Sequence, residues 1–175
     1  MQDTKSPKGL TRRELLSRAT AAGASFVIGA GYVAGRDAAW ATEMNAMKPE
    51  SFATLAQMAR DIYPHDQVAD QYYAAAIKGY DTQEQAEMAE AGLGKLNTLA
   101  REMKGSDYID IGWEADRVEV LRAMQDDPFF QTVRGGLVTG LYNQKEIWPI
   151  FGYEGESYSQ GGYINRGFDD IAWIG

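Results

Sequence analysis

From residue 51 to residue 142, apolar residues recur every three to four positions, and proline, glycine and acidic turns interrupt them at intervals. Phe52, Leu55, Ala59 and Ile62 stand at i, i+3, i+7 and i+10, one stripe of a first helix. Ser51 ahead of the stripe is a good N-cap, and Pro64 stops the helix near Tyr63. A second, short helix is expected from Val68 to Lys78, with Tyr72, Tyr73, Ala76 and Ile77 inward and Gly79 at its end. Asp81 and Thr82, followed three residues later by Glu84 and Gln85, form alternative capping boxes. They open a long helix carrying Ala86, Ala89, Leu93, Leu96, Leu99, Ala100 and Met103, which ends at Gly105. Gly92 and Gly94 each weaken its middle by roughly 1 kcal/mol relative to alanine, and close packing against a neighbour is a reason to keep them.

Tyr108 to Trp113 reads as a short β-prone or loop stretch. The next helix covers about Ala115 to Gln125, with Val118, Leu121 and Arg122 on its stripe. Asp126-Asp127-Pro128 then makes a break, with an acidic cap followed by proline at the first helical position. The last helix runs from Pro128 to about Tyr142 on Phe129, Phe130, Val133, Leu137 and Leu141. Gly135, Gly136 and Gly140 leave one side of it nearly bare, so that another backbone can approach. About five helices with short connections predict an all-α fold, a small helical bundle spanning residues 42–151.

Periodicity stops at Gly152. Through residue 175 glycines alternate with Tyr153, Tyr158, Tyr163, Phe168 and Trp173. Ordering such a glycine-rich stretch costs about 1–2 kcal/mol per residue, which buried aromatics can offset. Those aromatics pack either on the bundle itself or on another protein, and aromatics on adaptable backbone are common at interfaces.

Charge separates a third region. The chain has 175 residues and a formal charge of −8. Yet residues 1–41 hold Lys5, Lys8, Arg12, Arg13, Arg18 and Arg36 against only Asp3, Glu14 and Asp37. A basic front on an acidic body marks a processed segment. Adjacent Arg12 and Arg13 precede Leu15 and Leu16, a glycine-diluted apolar run spans Ala19 to Gly35, and Ala39-Trp40-Ala41 offers small residues for cleavage. This constellation resembles a twin-arginine export signal; the alternative is an uncleaved N-terminal helix. That route moves folded proteins to the periplasm. Replacing both arginines with lysine is expected to strand such a chain in the cytoplasm.

The acidic body excludes non-specific nucleic-acid binding as an expectation. The absence of cysteine excludes disulfides, thiolate zinc sites, cysteine-ligated clusters and thioether-attached haem within the chain, and a single histidine, His65, excludes multi-histidine metal sites. His65 beside Asp66 forms either a catalytic dyad or a polar turn with local hydrogen bonds. The acids Asp107, Asp110, Glu114 and Asp116 lack the frame of a calcium loop and read as a solvated face. Asp169 and Asp170 either meet arginines on a partner or face solvent. The Gly152–Gly162 region is no phosphate loop, having neither a following Lys-Ser/Thr pair nor a βαβ setting. The tyrosines are candidates for stacking on sugar rings, with core or interface packing as the other reading.

Three segments together resemble the gluconate 2-dehydrogenase subunit 3 family. Asp61-Ile62-Tyr63-Pro64-His65-Asp66 is similar to its early turn, and Asp127-Pro128-Phe129-Phe130 to its aromatic helix start. Leu141-Tyr142-Asn143-Gln144-Lys145-Glu146-Ile147-Trp148, leading to Gly152-Tyr153-Glu154-Gly155, is similar to its closing signature. The chain departs from that pattern after Gly155, where its tail is longer and more aromatic. The resemblance implies the small, cofactor-free subunit of a periplasmic, membrane-associated sugar, sugar-acid or alcohol dehydrogenase. The expected partners are a large flavoprotein subunit of the glucose–methanol–choline oxidoreductase type, carrying FAD, a multi-haem cytochrome c subunit, and the twin-arginine translocase. On this reading the chain has no catalytic residue, no cofactor and no metal of its own. Trp148, Tyr153, Tyr158, Tyr163, Phe168 and Trp173 are then the expected partner contacts. An autonomous periplasmic helical enzyme or ligand-binding protein is the other function class.

Overall fold

Five α-helices pack into an all-α bundle in the computed structural model, which describes residues 26–28, 31–33, 45–165 and 168. They are α1 (Pro49–Ile62), α2 (Asp70–Ile77), α3 (Gln83–Lys104), α4 (Glu114–Ala123) and α5 (Pro128–Tyr142). Short 3-10 turns join them at Lys78–Tyr80 and Tyr108–Asp110 and follow them at Lys145–Phe151 and Ser157–Gln160. Within the apolar run of the expected leader, β1 (Phe26–Ile28) and β2 (Gly31–Val33) pair antiparallel, with Phe26 opposite Val33. The arginine pair, Leu15, Leu16, Ala39 and Ala41 lie outside the described residues, as do Asp169, Asp170 and Trp173.

The central element is α1. Every residue from Phe52 to Ala59 is buried, so the helix is enclosed on all sides and not only along its apolar stripe. Its start differs from the expected one. Pro49 occupies the first helical position, Lys48 is the N-cap, and Ser51 lies inside the first turn. Proline there needs no amide partner and its ring presets the helical φ, so the helix begins two residues ahead of the serine. The Ser51 hydroxyl instead donates to Glu90 at 2.7 Å. At the other end the helix yields at Tyr63, just before Pro64.

Local signals set the other boundaries well. Of the two expected caps, Thr82 takes the N-cap position, its hydroxyl accepting from the Gln85 amide at 3.4 Å. Gly105 closes α3 in the left-handed conformation, at φ 77°, where a side chain would be strained. Asp127 caps α5 by accepting from the Phe129 amide at 2.8 Å, with Pro128 next. The second helix starts at Asp70 rather than Val68 and hands over to a 3-10 turn at Lys78. The inner face of α4 is also rotated from the expected one. Arg117, Val120 and Leu121 are buried, while Val118 is half-buried and Arg122 exposed. The reason is electrostatic: Arg117 points inward to meet Asp61.

Two glycines bring helices into contact. A Cβ on Gly92 would lie 2.1 Å from the Phe129 ring, so the start of α5 seats its aromatic against the bare middle of α3. A Cβ on Gly140 would lie 2.8 Å from the Ala76 carbonyl oxygen, which marks close backbone-to-backbone approach of α5 and α2. Gly94, by contrast, faces open space.

Candidate partner-binding surface

The end of α5 and the turn after α1 build the platform from which the tail leaves. His65, expected either in a dyad with Asp66 or in a local turn, lies in such a turn, where its carbonyl accepts from the Val68 amide at 3.1 Å, while its ring reaches away from Asp66. Its Nε2 lies 2.7 Å from the Tyr142 hydroxyl, across 77 positions of sequence. The imidazole stands edge-on to Tyr142 and to Phe151, with centroids 5.7 and 4.9 Å away, and Tyr63 meets Tyr142 edge-on at 5.7 Å. Pro64 makes this possible by ending α1 and turning His65 across the end of α5. Burial raises the Tyr142 hydroxyl above the usual range, with the neighbouring Tyr63 adding to it, so the group stays a neutral hydrogen-bonding partner.

Beside this cluster, Trp148 is half-buried and donates from Nε1 to the Tyr142 carbonyl at 2.7 Å. Its ring meets Tyr153 edge-on at 5.1 Å and carries the Lys145 ammonium 5.5 Å from its centroid. Lys145 also reaches Glu156 at 2.5 Å, which ties the first residues of the tail to the turn they leave. Gly152 makes the corner at φ 73°. Trp148 and Tyr153 are thus brought together at the root.

The remaining described aromatics of the tail stand away from the core. Tyr158 is 95% exposed, Tyr163 65% and Phe168 76%, with Ile164 beside them at 83%. The bundle itself does not cover them.

A second arrangement, missed by the periodicity, lies inside the bundle. Asp61 and Arg117 form a two-pronged ion pair, with Arg117 Nε on Oδ2 at 2.6 Å and Nη2 on Oδ1 at 2.9 Å. Tyr108 donates its hydroxyl to Oδ2 at 2.6 Å, Gln57 donates its amide to Oδ1 at 3.0 Å, and Arg117 Nη1 donates to the Ile111 carbonyl at 2.9 Å. All four side chains are buried. Burial pushes the Tyr108 hydroxyl well above its ordinary range, and the Asp61 charge reinforces the shift. For Arg117, burial acts to lower the guanidinium, but the Asp61 hydrogen bonds and charge outweigh it and the net shift is upward. The signal available in the sequence was polar residues, Thr54, Gln57 and Asp61, recurring within a helix otherwise made to be buried.

The four acids after α3 separate. Asp107 pairs with Arg101 at 2.5 Å and Asp116 with Lys104 at 2.7 Å, while Asp110 and Glu114 are exposed. Among the described residues, no group of three or more His, Cys, Asp or Glu side chains converges. Between α2 and the segment after α5 lies a surface cleft of about 470 Å³, lined by Phe52, Tyr72, Lys78, Gln144 and Glu146 among others. No described helix is long and apolar enough to cross a membrane. Comparison of the chain with protein-family models, with curated proteins and with solved structures finds no match.

Proposed function

We propose that this chain is the non-catalytic small subunit of a membrane-associated, FAD-dependent sugar, sugar-acid or alcohol dehydrogenase, supporting assembly and twin-arginine export of its flavoprotein large subunit. The observation that carries the reading is the tail. Tyr158, Tyr163, Ile164 and Phe168 expose apolar surface in sequence succession, on a stretch anchored at its root by Trp148, Tyr153 and the Lys145–Glu156 pair. Exposed apolar surface of this kind marks a site where another molecule binds. The motifs at Asp61–Asp66, Asp127–Phe130 and Leu141–Gly155 and the basic leader supply the kind of partner.

The mechanism is burial. The tail covers apolar surface on the large subunit, and the leader lends both chains an export signal. The oxidation chemistry belongs to the partner's flavin. The cleft beside α2 favours the other reading, an autonomous ligand-binding protein or enzyme, because its size suits a small molecule.

Purification of the tagged chain from its own envelope separates the two. The small-subunit reading expects a yellow complex with a much larger flavin-bearing chain. That complex should survive high salt, where charge contacts are screened and apolar ones persist. Deleting residues 157–175 should release the large chain. A truncated chain that retains it at high salt, or turnover of a substrate by the isolated subunit, would overturn the proposal.

A further inference from the structure

Residues 45–48 lead into α1, and two carboxylates from a distant part of the sequence hold them. Asp81 Oδ2 accepts from the Asn45 amide at 2.8 Å and from its side-chain Nδ2 at 3.2 Å. Asp81 Oδ1 accepts from the Ala46 and Met47 amides, each at 2.9 Å. Glu90 takes the next two donors, the Lys48 amide at 3.0 Å and the Ser51 hydroxyl at 2.7 Å. Asp81 is 2% exposed and Met47 4%.

Three successive peptide N–H groups thus converge on one buried carboxylate. The carboxylate is not needed for capping, since Thr82 caps α3. The arrangement exists only when the turn before α3 has docked beside the start of α1, and an unfolded chain has nothing to hold these donors. Residues 45–48 also follow closely on the expected leader. The expected cleavage point after Ala41 lies four residues before Asn45, so it reaches at most about 14 Å from the held segment.

Resting on the export reading above, we propose that Asp81 and Glu90 form a fold-dependent latch on the root of the leader. The latch fixes the root of the leader to the bundle, and it closes only when α1 and α3 are assembled. A route that carries folded proteins then meets a leader whose setting differs between folded and unfolded precursor. The device regulates export and takes no ligand.

The test uses the full-length chain with two readouts, amide hydrogen exchange and delivery to the periplasm by fractionation. Asp81→Ala is expected to speed exchange at Asn45, Ala46 and Met47 by about tenfold or more, as loss of charge-assisted hydrogen bonds implies. Amides in the middle of α3 and α5 should keep their protection, and the delivered fraction should fall. Asp81→Asn, which keeps one acceptor oxygen, should fall between; it decides the matter with the same readouts should the alanine variant not fold. Wild-type exchange at residues 45–47 in Asp81→Ala would overturn the latch. Unchanged delivery after their protection is lost would overturn its role in export. Arg12→Lys with Arg13→Lys is the control: it should block delivery while leaving the latch amides protected. A wild-type chain that never reaches the periplasm sinks the export reading and the latch's role together. The amide protection measured on the same sample distinguishes that failure from failure of the latch itself.

Discussion

Asp61 accepts four hydrogen bonds inside the bundle, from both Arg117 nitrogens, Tyr108 and Gln57. Taking two charges out of water is costly, and the pair persists because nearly every polar atom around it is satisfied; Gln57 Oε1 is a buried atom left without a partner. Removing one member strands the other. Arg117→Met should therefore destabilise the bundle by about 3–5 kcal/mol in urea denaturation. The double substitution Asp61→Leu with Arg117→Met should cost much less than the sum of the two single changes, because no charge is then left buried. Near-additive losses would show that the pair contributes no coupling. A second residue-level effect concerns pH. Hydrogen bonds from Lys95 and the Phe129 amide hold the Asp127 carboxyl below the usual range. At Asp81 burial pulls upward, but the Met47, Ala46 and Asn45 donors outweigh it and the carboxyl is again low. A folded-state value below the unfolded one contributes stability that is present above the unfolded value of about 3.9 and is lost as pH falls through the folded value. The gap in melting temperature between the wild-type chain and Asp127→Asn should thus be widest at neutral pH and close below about pH 4. A gap that stays constant down to pH 2.5 would contradict this.

Among the elements, the glycines of α3 and α5 divide by what faces them. Gly140 meets the backbone oxygen of Ala76, which cannot move without disturbing α2. Gly140→Ala should therefore destabilise the α2–α5 packing by about 1–3 kcal/mol, the usual range for overfilling a tight contact. Gly94 sits in the middle of α3 with open space around its missing side chain. Gly94→Ala should stabilise by roughly 0.8–1 kcal/mol, since helix propensity then acts without a steric penalty. Thermal or denaturant unfolding of the two variants should give opposite signs. The same sign for both would mean that propensity or packing alone governs these positions.

At the scale of the whole molecule, the bundle and the tail answer different demands. The bundle closes its own core around α1, from Met47 to Ile147. The tail contributes its root to that closure, through Trp148 against Tyr153 and the Lys145–Glu156 pair, and then exposes Tyr158, Tyr163 and Phe168. A chain ending at Glu156 should therefore melt within a few degrees of the full one, since Tyr158, Tyr163 and Phe168 bury little in the bundle. The same truncation that releases the proposed large subunit should leave far-UV circular dichroism and the melting midpoint nearly unchanged. A collapse of the midpoint would assign the tail to the fold rather than to a partner.

Periodicity and local punctuation were enough to read five helices, and the clearest boundaries lie where both signals sit within a turn of each other, as at Thr82, Gly105 and Asp127–Pro128. The tail's lack of helical period was equally plain. What the local pattern could not supply were the pairings across the chain. Asp61 finds Arg117 56 positions on, His65 finds Tyr142 77 positions on, and the donors of residues 45–47 find Asp81 at least 34 positions away. These partners turned the face of α4 and carried the His65 ring to Tyr142. Helical period is a property of neighbouring residues, so the chain carries it unaided. The satisfaction of a buried charge or amide depends on what arrives from elsewhere, and that only the packed bundle decides.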